Sequence, residues 1–270
     1  MSVQSRMNNQ KIAVCGKGGS GKSTVSALLA RGLRDRGARV LVVDADESNP
    51  GLYRVLGFDE RPRPLIELVG GKKAVFPTFS GEAAQESFPT RDAFRVTDIP
   101  GEYIAERDGI GLVCIGKIMQ SMEGCACPMG LLSREFLKRL SLQDDEMVVV
   151  DMEAGIEHFG RGVEESMDGV LIVTEPSFDS LALAGKIGTL AAEAGVGWVW
   201  TVLNKIGSED IASRVREALD GQETPVIGCI GTEPEILEAG LEGRPVRLER
   251  VGADTGRIVD QVLGGNRLTG

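Results

Sequence analysis

Short runs of apolar, often β-branched residues recur along the chain, separated by longer stretches whose apolar positions follow a helical spacing. KIAVC, RVLVVDAD, EMVVVDME, GVLIVTE and WVWTVLN are such runs, while VSALLARGLRDRG and LALAGKIGTLAAEAG are amphipathic. Strands that are apolar throughout are buried on both faces, so the pattern predicts a mostly parallel sheet flanked by helices, a doubly wound α/β fold. GIGLVCIGK predicts a further strand and MGLLSREFLKRL a helix, with the loop MQSMEGCACP between them. Over residues 57–110 the pattern loosens. RPRP, GGKK, FPTFSGE and DIPGEY supply turn signals there, and only PLIELVGG offers a short helix. That span reads as a loosely structured insertion within one domain covering 11–264, and the polar residues 1–10 read as a disordered tail.

Composition narrows the class. At 270 residues with 42% hydrophobic and 26% charged content, the chain is an ordinary globular one, long enough to bury a sizeable core. No window approaches the roughly 18 apolar residues of a membrane span, and MSVQSRMNNQ lacks a signal-peptide core, so a cytoplasmic protein without a membrane partner is expected. A formal charge of −10 opposes the electrostatic attraction behind most nucleic-acid affinity, so no nucleic-acid partner is expected. Five cysteines without a secretion signal point to reduced thiols. Cys15, Cys114 and Cys229 sit in apolar runs as small buried hydrophobes. Cys125 and Cys127, in GCACPMG, need another account.

GKGGSGKS, residues 16–23, follows a predicted strand and opens a predicted helix, the context that confirms a phosphate loop. Gly16, Gly18, Gly19 and Gly21, with Ser20 among them, let backbone N–H groups curl around phosphate oxygens, and the helix N-terminus adds a favourable dipole. Lys22 reaches the β- and γ-phosphates, Ser23 ligates Mg²⁺, and Thr24 adds an α-phosphate contact.

The early lysine, Lys17, makes this loop resemble the deviant Walker A motif of the dimeric ATPases that include MinD, ParA, ArsA and the nitrogenase iron protein, P-loop NTPases of the SIMIBI class. The resemblance implies ATP as substrate, and a Lys17 that crosses a homodimer interface to the partner's nucleotide. A cation brought in trans stabilises charge at the transferring phosphoryl group. It also implies that Asp46, in VVDADESNP, positions or deprotonates the attacking water. Asp151, in MVVVDMEAGIEHFGRG, becomes the Walker B aspartate supporting Mg²⁺, and Gly155 offers an N–H to the γ-phosphate region. Asn204, in VLNK, would read the adenine. Lys17, Lys22, Asp46 and Asp151 are thus the expected catalytic residues. Caps at strand or helix ends remain the alternative for both aspartates, and a turn role for Asn204. His158, the single histidine, cannot make a metal site by itself and reads as a loop or packing residue.

Two thiolates one residue apart can face one side of a tight turn as soft ligands. A closed zinc site needs four. A two-fold dimer brings two Cys-x-Cys segments together, which supplies four. Incidental loop cysteines, or an awkward bridge across one residue, remain open. GKGGSGKST, DADESNPGLYRVLG, GKIMQSMEGCACPMG and DMEAGIEHFGRG together resemble the CooC-type nickel-insertion ATPases and their AcsF relatives. That likeness implies Ni²⁺ or Zn²⁺ held by Cys125 and Cys127 from each subunit, with apo carbon monoxide dehydrogenase or acetyl-CoA synthase as client. The wider group offers two other functions. A MinD- or ParA-like positioning ATPase would need a basic membrane anchor or a basic DNA-binding surface, and VGADTGRIVDQVLGGNRLTG lacks the former. An iron–sulfur reductase would need a second cysteine after the Walker B aspartate, and MEAGIEHFGRG has none.

Overall fold

The strand leading into the glycine loop, β1 (Gln10–Gly16), lies in the middle of the sheet, paired in parallel with β5 (Glu146–Asp151) on one side and β6 (Gly169–Thr174) on the other. The computed structural model describes residues 9–46, 48–49, 51–80, 88–116, 127–156, 158–222, 224–247 and 251–264. Among these residues one sheet of eight strands forms. Beyond β5 come β2 (Arg39–Asp44), β4 (Ile110–Cys114) and the short edge strand β3 (Ala105–Arg107); beyond β6 come β7 (Trp198–Ile206) and β8 (Val226–Gly231). Only β3 runs antiparallel, against β4.

Alternation along each strand splits the apolar side chains into two cores. Ile12 and Val14 of β1 face α1 (Lys22–Asp35), α2 (Leu52–Leu56), α8 (Pro234–Glu242) and α9 (Gly252–Gly264). Ala13 and Cys15 face the opposite layer of α5 (Cys127–Arg139), α6 (Phe178–Glu193) and α7 (Glu209–Leu219). The chain leaves β1 through α1 and enters β2 with β5 between them, so the strand order opens a crevice at the carboxyl end of β1, where ligands bind in open α/β sheets.

Three outcomes differ from the pattern-based expectation. The 57–110 span is not loose among its described residues: α3 (Leu65–Leu68), α4 (Lys72–Ser80), a 3₁₀ turn at Val96–Asp98 and β3 all fall within it. Leu65, Val75, Phe94 and Tyr103 are buried in the core. These elements are too short for a periodic signal, and Pro and Gly punctuate them; Pro77 even lies inside α4. Second, Cys15 and Cys114 are fully buried in strands, whereas Cys229 is only partly covered because β8 is the edge of the sheet. Third, α5 opens at Cys127 itself, so this cysteine is helical where a loop position was expected. Cys125 lies outside the described residues, as does most of the 1–10 segment. No described helix is long and apolar enough to cross a membrane.

Candidate active site

The loop from β1 to α1 is shaped by glycines, two of which combine a left-handed backbone with no room for a side chain. Gly16 has φ 144°, and a Cβ there would lie 2.4 Å from the Val173 carbonyl oxygen of β6. Gly21 has φ 97°, and its Cβ would lie 2.2 Å from Asn204 Nδ2. Between them the Ser20 N–H donates to the Lys17 carbonyl at 3.1 Å and closes the turn. Lys22 is buried in the first turn of α1, with Nζ 3.4 Å from the same carbonyl, and Thr24 is half-buried beside it. The Ser20 hydroxyl is buried with no protein partner among the described residues. A loop of N–H groups carrying a buried lysine and an unsatisfied hydroxyl suits a phosphate chain.

Strand pairing sets the acidic side of the crevice. Asp44 and Asp151 end β2 and β5 and face each other in register. Asp151 is wholly buried; its Oδ2 accepts from the Ser23 hydroxyl at 2.6 Å and its Oδ1 from the Ser26 hydroxyl at 3.1 Å. Burial pushes its carboxyl up to about 7; the Ser23 hydrogen bond and Lys22 oppose this, while Asp44 and Asp46 add to it. Hydroxyl and carboxylate oxygens are the hard donors Mg²⁺ takes, and a divalent cation would relieve the cost of ionising a buried aspartate. The Ser23–Asp151 pair therefore fits that ion.

The loop after β2 folds back on the same helix end. Asp46 Oδ1 accepts from the Ser48 N–H at 2.9 Å and from its hydroxyl at 2.6 Å, a side-chain turn that fixes the loop. Asn49 Nδ2 donates to Ser23 Oγ at 2.6 Å. Asp46 thus has a turn-fixing role beside any action on water. From β5 the chain passes Ala154 against Gly18 and turns at Gly155, whose φ is 97°. The Gly155 N–H donates to the Gly16 carbonyl at 3.3 Å, so a γ-phosphate contact there requires that bond to be exchanged. Asn204 Nδ2 donates to the Ser20 carbonyl at 2.7 Å, and in this geometry the asparagine braces the loop.

His158 is buried beneath the loop, with Nε2 3.4 Å from Cys15 Sγ and 3.5 Å from Glu164 Oε1. Burial holds its imidazole down at about 3 and pushes Glu164 up to about 7. The contact is therefore between a neutral imidazole and a largely protonated carboxyl below pH 7, not an ion pair. Burial also pushes the Cys15 thiol well above its ordinary range. Among the described residues no group of three or more His, Cys, Asp or Glu side chains could hold a metal ion.

A model of the CobQ/CobB/MinD/ParA nucleotide-binding domain matches residues 11–246. The chain belongs to that family. An uncharacterized ATP-binding protein of Methanocaldococcus jannaschii is 41% identical over 240 residues, 88% of this chain and 94% of that protein. The carbon monoxide dehydrogenase accessory protein CooC of Rhodospirillum rubrum is 39% identical over 236 residues, 86% of this chain and 88% of that protein. The solved MinD cell division ATPase of Pyrococcus furiosus shares the fold, with a TM-score of 0.66 at 24% identity over 94% of this chain and 98% of that one. The protein is a P-loop ATPase of the CobQ/CobB/MinD/ParA family.

Within this family member the structure adds site residues that motif reading missed. Ser26 lies three positions after Ser23, one turn along the same face of α1, which is a signal that could have found it. Glu175 and Lys205 carry no motif. They reach the loop because β6 lies beside β1 and β7 beside β6, so both strand ends open on the same crevice: Lys205 Nζ donates to the Gly19 carbonyl, and Glu175 pairs with Lys17.

Proposed function

We propose that this ATPase is a metallochaperone. A homodimer holds one Ni²⁺ or Zn²⁺ between Cys125 and Cys127 of each subunit and couples ATP hydrolysis to nickel insertion into apo carbon monoxide dehydrogenase or acetyl-CoA synthase. The observation that carries this reading is the seat of Cys127. It is exposed at the head of α5, and the next turn of that helix packs on Arg161, in the loop that also carries Gly155. The GCACPMG stretch and the 39% identity to CooC point the same way.

In this reading the glycine loop and Lys22 bind the phosphates, and Thr24 adds a contact to the α-phosphate. Asn204 contributes at the adenine end. Ser23 and Asp151 are the residues that would hold Mg²⁺, which when bound neutralises charge on the β- and γ-phosphates. Asp46 orients the attacking water, and Lys17 approaches the nucleotide of the second subunit. When the Gly155 N–H leaves the Gly16 carbonyl for the γ-phosphate, the loop bearing Arg161 shifts with it, and the head of α5 follows. Four thiolates in tetrahedral array suit zinc, whereas nickel(II) favours planar coordination, so a small change at this helix alters which ion is held.

Metal content and mass measured with and without ATP and nickel test the proposal. One metal per dimer is expected, lost on Cys125→Ser or Cys127→Ser replacement while ATP binding stays intact. Tight stoichiometric metal in both serine variants overturns it.

A further inference from the structure

Lys17 has a carboxylate partner on its own subunit. Its Nζ stands 3.5 Å from Glu175 Oε1, and Lys205 Nζ takes the other oxygen, Oε2, at 3.1 Å while also donating to the Gly19 carbonyl. Glu175 directly follows β6, which is locked to β1 with Val173 opposite Gly16, so the carboxylate is presented from a rigid element beside the loop. Its own N–H donates to Ser180 Oγ at 3.2 Å, which fixes the turn into α6. Partial burial pushes the Glu175 carboxyl up, but Lys205 and Lys17 outweigh it and hold it below its ordinary range. Lys205 itself has φ 59°, a left-handed conformation that lysine seldom adopts. The left-handed turn falls at the irregularity between Leu203 and Ile206 in the β7–β8 pairing, and it leaves Lys205 Nζ over the Gly19 carbonyl.

One carboxylate serves two lysines, and only one of them is needed elsewhere. We propose that Glu175 is a holding site for Lys17: it retains the lysine in the resting subunit, and Lys205 keeps the carboxylate neutralised once Lys17 crosses to the second copy's nucleotide. This rests on the reading of Lys17 as a residue acting in trans. The pair is partly solvated, with side-chain exposures of 35% and 19%, so the hold is weak and release needs no separate trigger. Glu175 biases the resting equilibrium rather than blocking it.

Opposite shifts from two substitutions on one carboxylate distinguish this device from general damage. Glu175→Gln removes the charge that holds Lys17 and should lower the protein concentration for half-dimerisation with a non-hydrolysable ATP analogue by about 2- to 5-fold, the range a partly exposed ion pair commands. Turnover below that concentration should rise by the same factor, with the KM for ATP unchanged. Lys205→Met leaves Glu175 to Lys17 alone and should shift dimerisation the other way. In a Lys17→Ala background, Glu175→Gln should have no effect. Sedimentation velocity and turnover on these variants, with Glu175→Ala as a second uncharged form and unfolding curves to confirm folding, make the test. A wild type that dimerises with ATP while both Glu175 variants dimerise no better, or a Glu175 effect that survives without Lys17, overturns the holding site alone. A wild type that stays monomeric with every nucleotide overturns the trans role of Lys17 and the holding site together.

Discussion

Gly130, in the first turns of α5, lies directly under Arg161: a Cβ at residue 130 would stand 2.3 Å from the arginine Cδ and 3.3 Å from its Cγ. The obstruction falls in the middle of the side chain, so rotating the guanidinium away does not clear it. Arg161 is also tied down, with Nη1 2.9 Å from Glu153 Oε2 and its carbonyl accepting from Arg134. Gly130→Ala should therefore destabilise the fold by about 1–3 kcal/mol, the usual cost of overpacking. Adding Arg161→Ala removes the obstruction, so the double variant should lose less than the sum of the two single losses. Denaturant unfolding of the four proteins measures that coupling.

Gly21 and Asn204 form a second contact of this kind, on the nucleotide side. Gly21→Ala meets both a left-handed backbone, which costs an alanine about 1–2 kcal/mol, and a Cβ 2.2 Å from Asn204 Nδ2. The loop must distort to accept it. ATP affinity should fall at least about tenfold, since 1.4 kcal/mol is already a factor of ten, while the far-ultraviolet circular dichroism stays native. Asn204→Ala removes the hydrogen bond to the Ser20 carbonyl and should weaken ATP by a smaller factor, about fivefold for a bond of ~1 kcal/mol. Titration calorimetry separates the two.

The contrast between these positions and Glu175 shows what a chain reveals before it is folded. Gly21, Lys22 and Ser23 were legible because the phosphate loop is local: its glycines, its lysine and the helix start all lie within eight residues. The parallel sheet was legible because β1, β2, β5, β6 and β7 are buried on both faces and read as apolar runs. Glu175 and Lys205 were not, because their nearness to Gly19 and Lys17 exists only through the strand order β1–β6–β7. Leu65 and Val75 lie in helices too short for periodicity to register, and Phe94 makes only an isolated bridge to Leu140, so a packed region reads as loose. The stretch VGADTGRIVDQVLGGNRLTG lacks the basic face of a membrane anchor, and its described part packs inside the fold: Ile258, Val259 and Val262 of α9 are buried in the core that α1 shares.

Ser26 offers a test of how Asp151 is kept ready. Its hydroxyl donates to Oδ1, and a hydrogen bond to the charged form favours ionisation. Ser26→Ala should raise the Asp151 pKa further above its already elevated value of about 7. A higher pKa leaves less carboxylate at a given pH, so the acid limb of the Mg²⁺-dependent turnover profile should move to higher pH. The rate should fall several-fold near pH 6.5 and little near pH 8.5. An equal loss at both values would show that Ser26 acts on packing and not on the aspartate.

His158 and Glu164 make opposing contributions to stability against pH. The imidazole is held at about 3 in the fold against an ordinary 6.5, so below pH 6.5 the unfolded chain binds a proton that the native protein refuses, and stability is lost as pH falls from 6.5 towards 3. The Glu164 carboxyl is raised to about 7 against an ordinary 4.5, so the native state keeps a proton that the unfolded chain has released. Its contribution is fully present below pH 4.5 and is lost as pH rises through 7. Between pH 4.5 and 6.5 both states bind one proton at this pair, and its net slope is zero. Glu164→Gln leaves the histidine unopposed, so stability relative to wild type should rise with pH across that window by about 1.4 kcal/mol per pH unit. His158→Gln leaves the glutamate unopposed, and the relative slope should have the opposite sign. Urea unfolding at half-unit steps from pH 4.5 to 6.5 reads both slopes; two variants with slopes of the same sign would show that the imidazole and the carboxyl are not held neutral together.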